Sequence, residues 1–197
     1  MTTIGLVRHG ITDWNIEQRT QGITDIPLND LGREQARALA RRLANERWDA
    51  IYASDLSRAK ETADIAAQAL GLDVLTDARL RERNYGEAET TTLQERIARW
   101  GADWDRLPIG LETEEEVAGR LIAFLNDVLP KHDPDAQILV FSHGALIGIT
   151  LKRLIPHADT NEHLLNTSLT KLVYQEGAWE CELFNCAKHL SDINQEV

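Results

Sequence analysis

The sequence predicts an α/β fold with three layers, doubly wound, in which a mostly parallel sheet carries an antiparallel edge strand. Short apolar runs of strand length alternate with segments of helical periodicity, the pattern of this fold class. Two of the runs, residues 4–7 and 138–141, are each followed closely by a His-Gly pair. Because the carboxyl ends of parallel strands form the binding crevice of such sheets, we expect His9 and His143 to share one site.

The strands are predicted from six apolar runs. These are residues 4–7, 50–53, 72–75, 138–141, 169–174 and 179–184. The first and fourth runs are continuously apolar, as in buried parallel strands. The last two flank Glu176-Gly177, a turn signal, so we expect the final strand to lie antiparallel to its neighbour at the sheet edge.

Three helices are predicted with identifiable ends. Asn29 caps the first, which runs to about residue 45, and Ser54 caps the second, which stops at Gly71. The third runs from about Thr113 to Leu129. Residues 83–110 are irregular apart from one short helix at 93–100, and we expect this stretch to form a lid.

Length and composition favour one globular domain. The chain has 197 residues and 43% hydrophobic content, enough to fill a sizeable core. We therefore expect residues 1–197 to form a single domain, with a flexible tail at 185–197. The net charge of −11 repels nucleic acid and anionic membranes, so neither is an expected partner, and an anionic ligand must meet a local pocket.

Neither the cysteines nor the amino terminus indicates export. Cys181 and Cys186 lack a CxxC spacing, and two thiols in a chain of this length suit a reducing compartment. The first residues show no basic leader, and no apolar run approaches the length of a membrane span. We expect a cytoplasmic protein, and its oligomeric state stays open.

Three predicted elements direct positive groups at the crevice. Arg8 ends a buried strand, where an arginine is costly to desolvate unless it meets an anion. Arg58 lies in the first turn of a helix, where the helix dipole disfavours a cation unless an anion binds there too. His143 opens another helix through Gly144, whose free backbone N–H groups add donors. Each signal is weak alone, but together they predict a phosphate pocket.

The segment RHGITDWNIEQRTQGITDIPLNDLG, at residues 8–32, resembles the opening signature of the histidine phosphatase superfamily, the phosphoglycerate-mutase-like proteins. Further blocks follow in the family's order. They are SDLSRAKETA at 54–63, LRERNYG at 80–86, LETEEEV at 111–117 and FSHG at 141–144. The resemblance covers most of the chain, and it is nearest to the short bacterial phosphatase branch.

The resemblance implies a role for each matched residue. His9 is implied as the nucleophile, which forms an N-phosphorylated intermediate. Glu82 is implied as the acid that protonates the leaving alcohol and later accepts a proton from the attacking water. Asn15 matches a position that contacts the phosphate or orients the nucleophile, although an asparagine that caps a loop is the alternative.

The resemblance therefore implies a defined set of site residues. Its catalytic residues are His9, Glu82, Arg8, Arg58 and His143, and its phosphate-binding residues are Arg8, Asn15, Arg58, His143 and Gly144. No metal or other cofactor is implied. His132, His157, His163 and His189 show no shared motif and are expected at the surface, and Asn166 and Ser168 are expected to serve turn geometry.

Hydrolysis is expected rather than transfer. A mutase must keep its phosphorylated intermediate away from water, which needs a closed lid and further basic side chains. Phosphoglycerate mutases carry a longer insertion with paired arginines, whereas residues 83–110 are short and offer Arg96, Arg99 and Arg106 without an adjacent pair. We expect a metal-independent phosphomonoesterase that acts on small phosphorylated metabolites.

Three alternatives remain open. The first is a cofactor-dependent phosphoglycerate mutase, and the second is a noncatalytic module that binds a phosphorylated ligand. The third is a metallohydrolase that uses His9, His143 and a carboxylate as ligands. The two arginines expected in the same crevice disfavour the third, because they would repel a divalent cation.

Overall fold

A computed structural model, which describes residues 1–191 and 193, contains one six-stranded sheet with helices on both faces. The strands are β1 (Thr2–Arg8), β2 (Ala50–Ala53), β3 (Val74–Thr76), β4 (Gln137–Ser142), β5 (Leu169–Gln175) and β6 (Ala178–Cys186). The helices are α1 (Asp13–Ile16), α2 (Asp30–Leu43), α3 (Ser57–Leu70), α4 (Leu93–Trp100), α5 (Glu114–Val128) and α6 (Gly144–Leu154). The strand order is β3-β2-β4-β1-β5-β6.

The sheet confirms the predicted fold class. Strands β1 to β4 are mutually parallel, with β1 beside β4 at the centre. Strand β6 lies at the edge and is antiparallel to β5, as predicted from the Glu176-Gly177 turn. Strand β5 runs antiparallel to β1. The tight turn after β5 reverses the chain again, so β6 runs in the same direction as β1.

Successive side chains of a strand point to opposite faces of the sheet and contribute to two hydrophobic cores. Ile4 and Leu6 of β1 contribute to the core under α5 and α6, whereas Val7 contributes to the core under α2 and α3. The buried residues that α3 contributes to the second core are alanines, Ala63, Ala66 and Ala67, which let this helix pack closely on the sheet. The central strands are therefore covered on both faces.

The predicted helix ends are confirmed with one exception. Asn29 caps α2, Thr113 precedes α5, and α3 ends at Gly71 in the left-handed conformation with φ of 67°. The prediction that Ser54 caps α3 is wrong, because the helix begins at Ser57 and its first turn is capped from elsewhere in the chain. The Oδ1 atom of Asp25 accepts hydrogen bonds from the Ser57 N–H and hydroxyl, at 2.8 and 2.7 Å.

The expected lid packs against the segment that follows α1. Residues 83–110 contain α4 as predicted, together with two short 3-10 turns, Gly86–Ala88 and Trp104–Arg106. Thr20 joins the two segments through backbone hydrogen bonds of 2.9 Å to both Thr90 and Thr91. Whether the segment moves as a lid stays a prediction.

The expected tail at 185–197 begins inside secondary structure. Strand β6 continues to Cys186, a 3-10 turn follows at Lys188–Leu190, and Leu190 is buried. Residues 192 and 194–197 of that prediction lie outside the described part of the chain. Among the described helices, none combines the length and apolar character needed to cross a membrane.

Candidate active site

One cavity of about 500 Å³ lies where β1 and β4 end. Six of the predicted site residues line it: Arg8, His9, Asn15, Arg58, Glu82 and Gly144. The seventh, His143, lies directly behind the wall, with its ring centroid 5.2 Å from that of His9. The structure thus brings together all the residues that sequence reasoning assigned to the site.

His9 is a neutral imidazole with a defined tautomer. Its side chain is nearly inaccessible, since the residue is 2% exposed. The Nδ1 atom lies 2.6 Å from the carbonyl oxygen of Gly10, and because a carbonyl only accepts, Nδ1 carries the proton. Burial lowers the pKa of His9 well below 6.5, and the nearby charges of Arg58 and Arg8 lower it further. The remaining nitrogen, Nε2, therefore has a free lone pair.

Residues distant in sequence hold the backbone on either side of His9. Asn166 donates from Nδ2 to the His9 carbonyl oxygen at 3.0 Å. The Gly10 N–H donates to Thr62 Oγ1 at 3.0 Å, and the Ile11 N–H donates to the Gln35 side-chain oxygen at 3.0 Å. Sequence reasoning gave Asn166 only a turn role and did not single out the other two side chains, since no local spacing relates them to His9.

Arg8 and Arg58 are buried guanidinium groups without a carboxylate partner within ion-pair distance among the described residues. Arg8 is 7% exposed and contacts the Leu164 carbonyl oxygen and, at 3.0 Å, His163 Nε2. Burial lowers the pKa of Arg8 to about 10, despite the opposing charge of Glu82, and burial also lowers that of Arg58. In both residues Nε has no hydrogen-bond partner. An oxyanion in the cavity would supply the missing acceptor and the missing charge.

A tight loop fixes the direction of Arg58. Its two terminal nitrogens donate to the carbonyl oxygens of Gly22 and Thr24, at 2.7 and 3.0 Å. Glu89 holds this loop, because its carboxylate accepts from the N–H groups of Ile23 and Thr24 at 2.9 and 3.0 Å. Gly22 has φ of 55°, and a Cβ atom there would lie 2.0 Å from a carboxylate oxygen of Glu89. The carboxylate therefore requires glycine at this position.

His143 is fully buried and held by the serine that was expected to cap α3. Its Nε2 atom lies 2.9 Å from Ser54 Oγ, which also accepts a hydrogen bond from the Leu56 N–H. Burial lowers the pKa of His143 well below 6.5, with further contributions from the charges of Arg58 and Arg8. Its Nδ1 atom has no partner among the described residues.

The amino terminus of α6 binds Glu82. One carboxylate oxygen of Glu82 accepts from the N–H groups of Arg83 and Leu146, at 2.9 and 3.0 Å, and the other accepts from that of Ala145 at 3.2 Å. The expectation that several N–H groups of this terminus are free for an anion is therefore wrong. The positive end of the helix dipole attracts the carboxylate, and Gly144 is the terminal residue left to meet a ligand.

Two amide side chains complete the wall. The Asn15 side-chain oxygen accepts from the Thr12 N–H and hydroxyl, both at 3.1 Å, so it closes the capping box of α1. The capping alternative thus holds for this oxygen, while the residue also lines the cavity. Gln21, which no sequence pattern singled out, is 8% exposed, and its Oε1 atom has no partner.

The described residues contain no group of three or more His, Cys, Asp or Glu side chains arranged to hold a metal ion. His163, expected at the surface, is exposed but contacts Arg8 and lines the same cavity. The local charge near His9 comes from Arg8 and Arg58, which suits an anion and not a divalent cation.

Comparison with known proteins is consistent with this chemistry. The sequence model described as "Histidine phosphatase superfamily (branch 1)" matches residues 4–187. The "Uncharacterized phosphatase PhoE" of Bacillus subtilis is 38% identical over 97% of this chain and 98% of its own. The "Probable phosphoglycerate mutase GpmB" of Yersinia enterocolitica is also 38% identical, over 91% and 88%. A solved mycobacterial glucosyl-3-phosphoglycerate phosphatase has a TM-score of 0.82 and 32% identity, over 93% of this chain and 98% of that one.

Proposed function

The chain belongs to the histidine phosphatase superfamily and is a phosphatase, and on this premise we propose that it hydrolyses small phosphomonoesters through a phosphohistidine on His9, without a metal ion. The observation that carries the proposal is the contact of His9 Nδ1 with the Gly10 carbonyl oxygen. It directs the proton to Nδ1 and leaves Nε2 as a neutral nucleophile beside two buried guanidinium groups.

The transferring phosphoryl group is bound by donors that lack partners. Arg8 and Arg58 each contribute an Nε–H, and His143 contributes Nδ1–H when Ser54 donates its hydroxyl proton to Nε2. The Gly144 N–H, which also lies at the cavity wall, adds a fourth donor. These groups are fixed before the substrate arrives, so they stabilise the charge on the equatorial oxygens without reorganisation.

In the first step, His9 Nε2 attacks phosphorus in line with the leaving oxygen. An N–P bond forms and the P–O bond to the alcohol breaks, while the Glu82 carboxyl group transfers its proton to the departing oxygen. The ring becomes an imidazolium as the bond forms, and its Nδ1–H stays hydrogen-bonded to the Gly10 carbonyl oxygen. The alcohol then leaves, and the phosphoryl group stays on His9.

In the second step, water attacks the phosphohistidine. Glu82, now a carboxylate, takes a proton from the water as its oxygen bonds to phosphorus, and the N–P bond breaks. His9 regains its lone pair on Nε2, Glu82 is protonated again, and inorganic phosphate leaves. The backbone N–H groups that hold Glu82 keep it in one position for both proton transfers.

Hydrolysis is favoured over transfer because arginines of the expected lid contact residues outside the cavity. Arg96 contacts Thr20 and Thr91 and lies over the ring of Trp104 at 4.6 Å. Arg99 lies over Trp100 at 4.3 Å, and neither arginine lines the cavity. No arginine of residues 83–110 lines the cavity, so the lid adds no guanidinium group that could retain a phosphorylated intermediate, and this favours attack by water. Because some relatives are named as probable phosphoglycerate mutases, isomerisation is part of the test.

Steady-state release of inorganic phosphate from a panel of phosphomonoesters tests the proposal. Isomerisation of 3-phosphoglycerate is followed in parallel, and every assay is repeated after exhaustive treatment with a chelator. We expect phosphate release that the chelator leaves unchanged and that is absent in His9→Ala. Dominant isomerisation would assign a mutase, loss of activity with the chelator would assign metal chemistry, and phosphate binding without turnover would assign a binding module.

A further inference from the structure

We propose that Lys152 forms a second anion-binding subsite at the mouth of the cavity, so that the preferred substrates are phosphomonoesters whose leaving alcohol carries another anionic group, a carboxylate or a second phosphate. This inference rests on the proposed function, because it assigns a specificity to the same cavity. Two observations support it: residues of α6 line the cavity, and some of the cationic side chains there have no carboxylate partner.

One face of α6 lines the cavity from its floor to its mouth. Gly144, Gly148 and Lys152 all line it, and their spacing of four residues places them one above another on the helix. A Cβ atom added at Gly148 would meet no atom within 4 Å, so the wall is recessed between the two ends. The recess leaves room for the body of a substrate that extends from Gly144 to Lys152.

The cationic side chains that line this cavity differ in whether they form an ion pair with a carboxylate. Arg19 forms ion pairs with Glu17 and Glu95, at 3.2 and 3.0 Å. Lys152 forms no ion pair or hydrogen bond within the described residues, although it also lines the cavity. At the floor, Arg8 and Arg58 have donors available for the first phosphate. Lys152 is thus a second centre of unmatched positive charge, separated from the first.

Unpartnered N–H groups at the floor of the cavity are available to hold the first anionic group. The Nε atoms of Arg8 and Arg58 are buried donors without a partner, whereas Gln21 Oε1 is a buried acceptor without one. Glu162 also lines the cavity, is exposed and makes no ion pair with Lys152. Its charge disfavours an anion beside it, so a second anionic group is favoured beside the lysine.

The spacing limits the length of the substrate. Gly144 and Lys152 are eight residues apart, which is about 12 Å along the helix axis. Long side chains on a helix lean toward its amino terminus, so the ammonium group lies nearer to the phosphate than its backbone does. A substrate with a short chain between its two anionic ends fits this distance.

A role in helix stability is the competing explanation for Lys152. Lys152 and Arg153 both lie in the last turn of α6, where a cation interacts favourably with the helix dipole. Arg153 is exposed and does not line the cavity. It is therefore a matched control, because replacing it removes the same dipole interaction and leaves the cavity intact.

The test compares ω-carboxyalkyl phosphates, α,ω-alkanediol bisphosphates and ω-hydroxyalkyl phosphates of increasing chain length, at low ionic strength. For each length, the ratio of kcat/KM for the charged substrate to that for the hydroxyl substrate is measured in the unmodified protein, Lys152→Met, Lys152→Arg and Arg153→Met. The ratio is halved for the bisphosphates, because each offers two equivalent phosphates. We expect the ratio to peak at one length with a value of about two- to fivefold, typical of an exposed ion pair. It should fall toward one in Lys152→Met and survive in the other two variants.

A ratio near one at every length in the unmodified protein, or a ratio that Lys152→Met and Arg153→Met reduce equally, would overturn the subsite. Calorimetric binding of the same three series to His9→Ala separates this failure from failure of the proposed function. Loss of hydrolysis for every substrate, with a charged-ligand preference that still depends on Lys152, would reject the mechanism and keep the subsite. The relative size of the carboxylate and bisphosphate ratios identifies which second anion is preferred.

Discussion

The Nδ1 atom of His9 lies 2.6 Å from the carbonyl oxygen of Gly10, its neighbour in the chain. The contact assigns the tautomer, because the carbonyl oxygen accepts and the imidazole must donate. A backbone group that cannot change its protonation state thereby determines which nitrogen is nucleophilic. The proposed chemistry follows from this relationship together with the burial of the ring, which lowers the pKa of His9, and the two arginines, which lower it further.

Replacing the nucleophile should abolish turnover and spare phosphate binding. We expect His9→Ala to lower kcat by a factor on the order of 10³ or more, because no other group in the cavity is placed to form the covalent intermediate. Phosphate release and phosphate affinity are measured on the same preparation. His157→Ala, which removes an exposed histidine outside the cavity, serves as the control. Turnover of His9→Ala at the unmodified rate would reject the mechanism.

The acid role of Glu82 predicts a dependence on the leaving group. Glu82→Gln should lower kcat/KM for alkyl phosphates by about 10²- to 10⁴-fold, because their alkoxides need a proton to depart. Nitrophenyl phosphate should lose much less, since nitrophenolate leaves without protonation. The nitrophenyl substrate is an internal control for folding and for phosphate binding. Equal losses on both substrates would show that Glu82 does not act as the acid.

Glu89 is predicted to be a positioning residue that acts through Arg58. Glu89→Gln replaces an acceptor with a donor beside the N–H groups of residues 23 and 24, and hydrogen bonds to charged groups contribute about 1.5–3 kcal/mol. We therefore expect kcat/KM to fall about tenfold or more, whereas Glu87→Gln, in the exposed part of the same segment, should have little effect.

A double-mutant cycle distinguishes positioning from general destabilisation. In an Arg58→Ala background, Glu89→Gln should cost nothing further in kcat/KM, because the side chain that the loop directs is already gone. Both single variants should bind phosphate more weakly than the unmodified protein. Additive losses in the cycle would indicate that Glu89 affects the enzyme through its stability instead.

The buried histidines predict a loss of stability in acid. The pKa values of His9 and His143 lie well below 6.5 in the folded chain, so below pH 6.5 the unfolded chain binds protons that the folded chain does not. The free energy of unfolding should therefore fall as pH decreases from 6.5, by up to about 1.4 kcal/mol per pH unit for each histidine.

Denaturant unfolding between neutral pH and the onset of carboxylate titration measures this slope. His143→Gln should reduce the slope by about one histidine's share of it. His157→Gln provides the comparison at an exposed position. A slope that stays the same after removal of His143 would contradict the assignment.

Local patterns in the sequence were sufficient to predict the residues on strand and helix ends. Arg8, His9, His143 and Gly144 each follow an apolar run, and parallel strands converge at one edge of a sheet. Their grouping could be predicted because the alternation of strands and helices determines where those ends meet.

The supporting hydrogen bonds could not be predicted in the same way. Ser54 has the local features of a helix cap, yet its hydroxyl meets His143, 89 positions along the chain. Asn166 reaches the His9 carbonyl across 157 positions, and Glu89 reaches Thr24 across 65. Such contacts depend on how separate segments pack, and a single sequence carries no periodic signal for them.

The stereochemical course at phosphorus tests the central claim most directly. A phosphomonoester made chiral at phosphorus with oxygen isotopes and sulfur is hydrolysed in isotopically labelled water, and the configuration of the thiophosphate product is determined. Each in-line displacement inverts phosphorus, so two displacements through His9 predict net retention. Net inversion would mean that water attacks the substrate directly, and it would contradict a phosphohistidine intermediate.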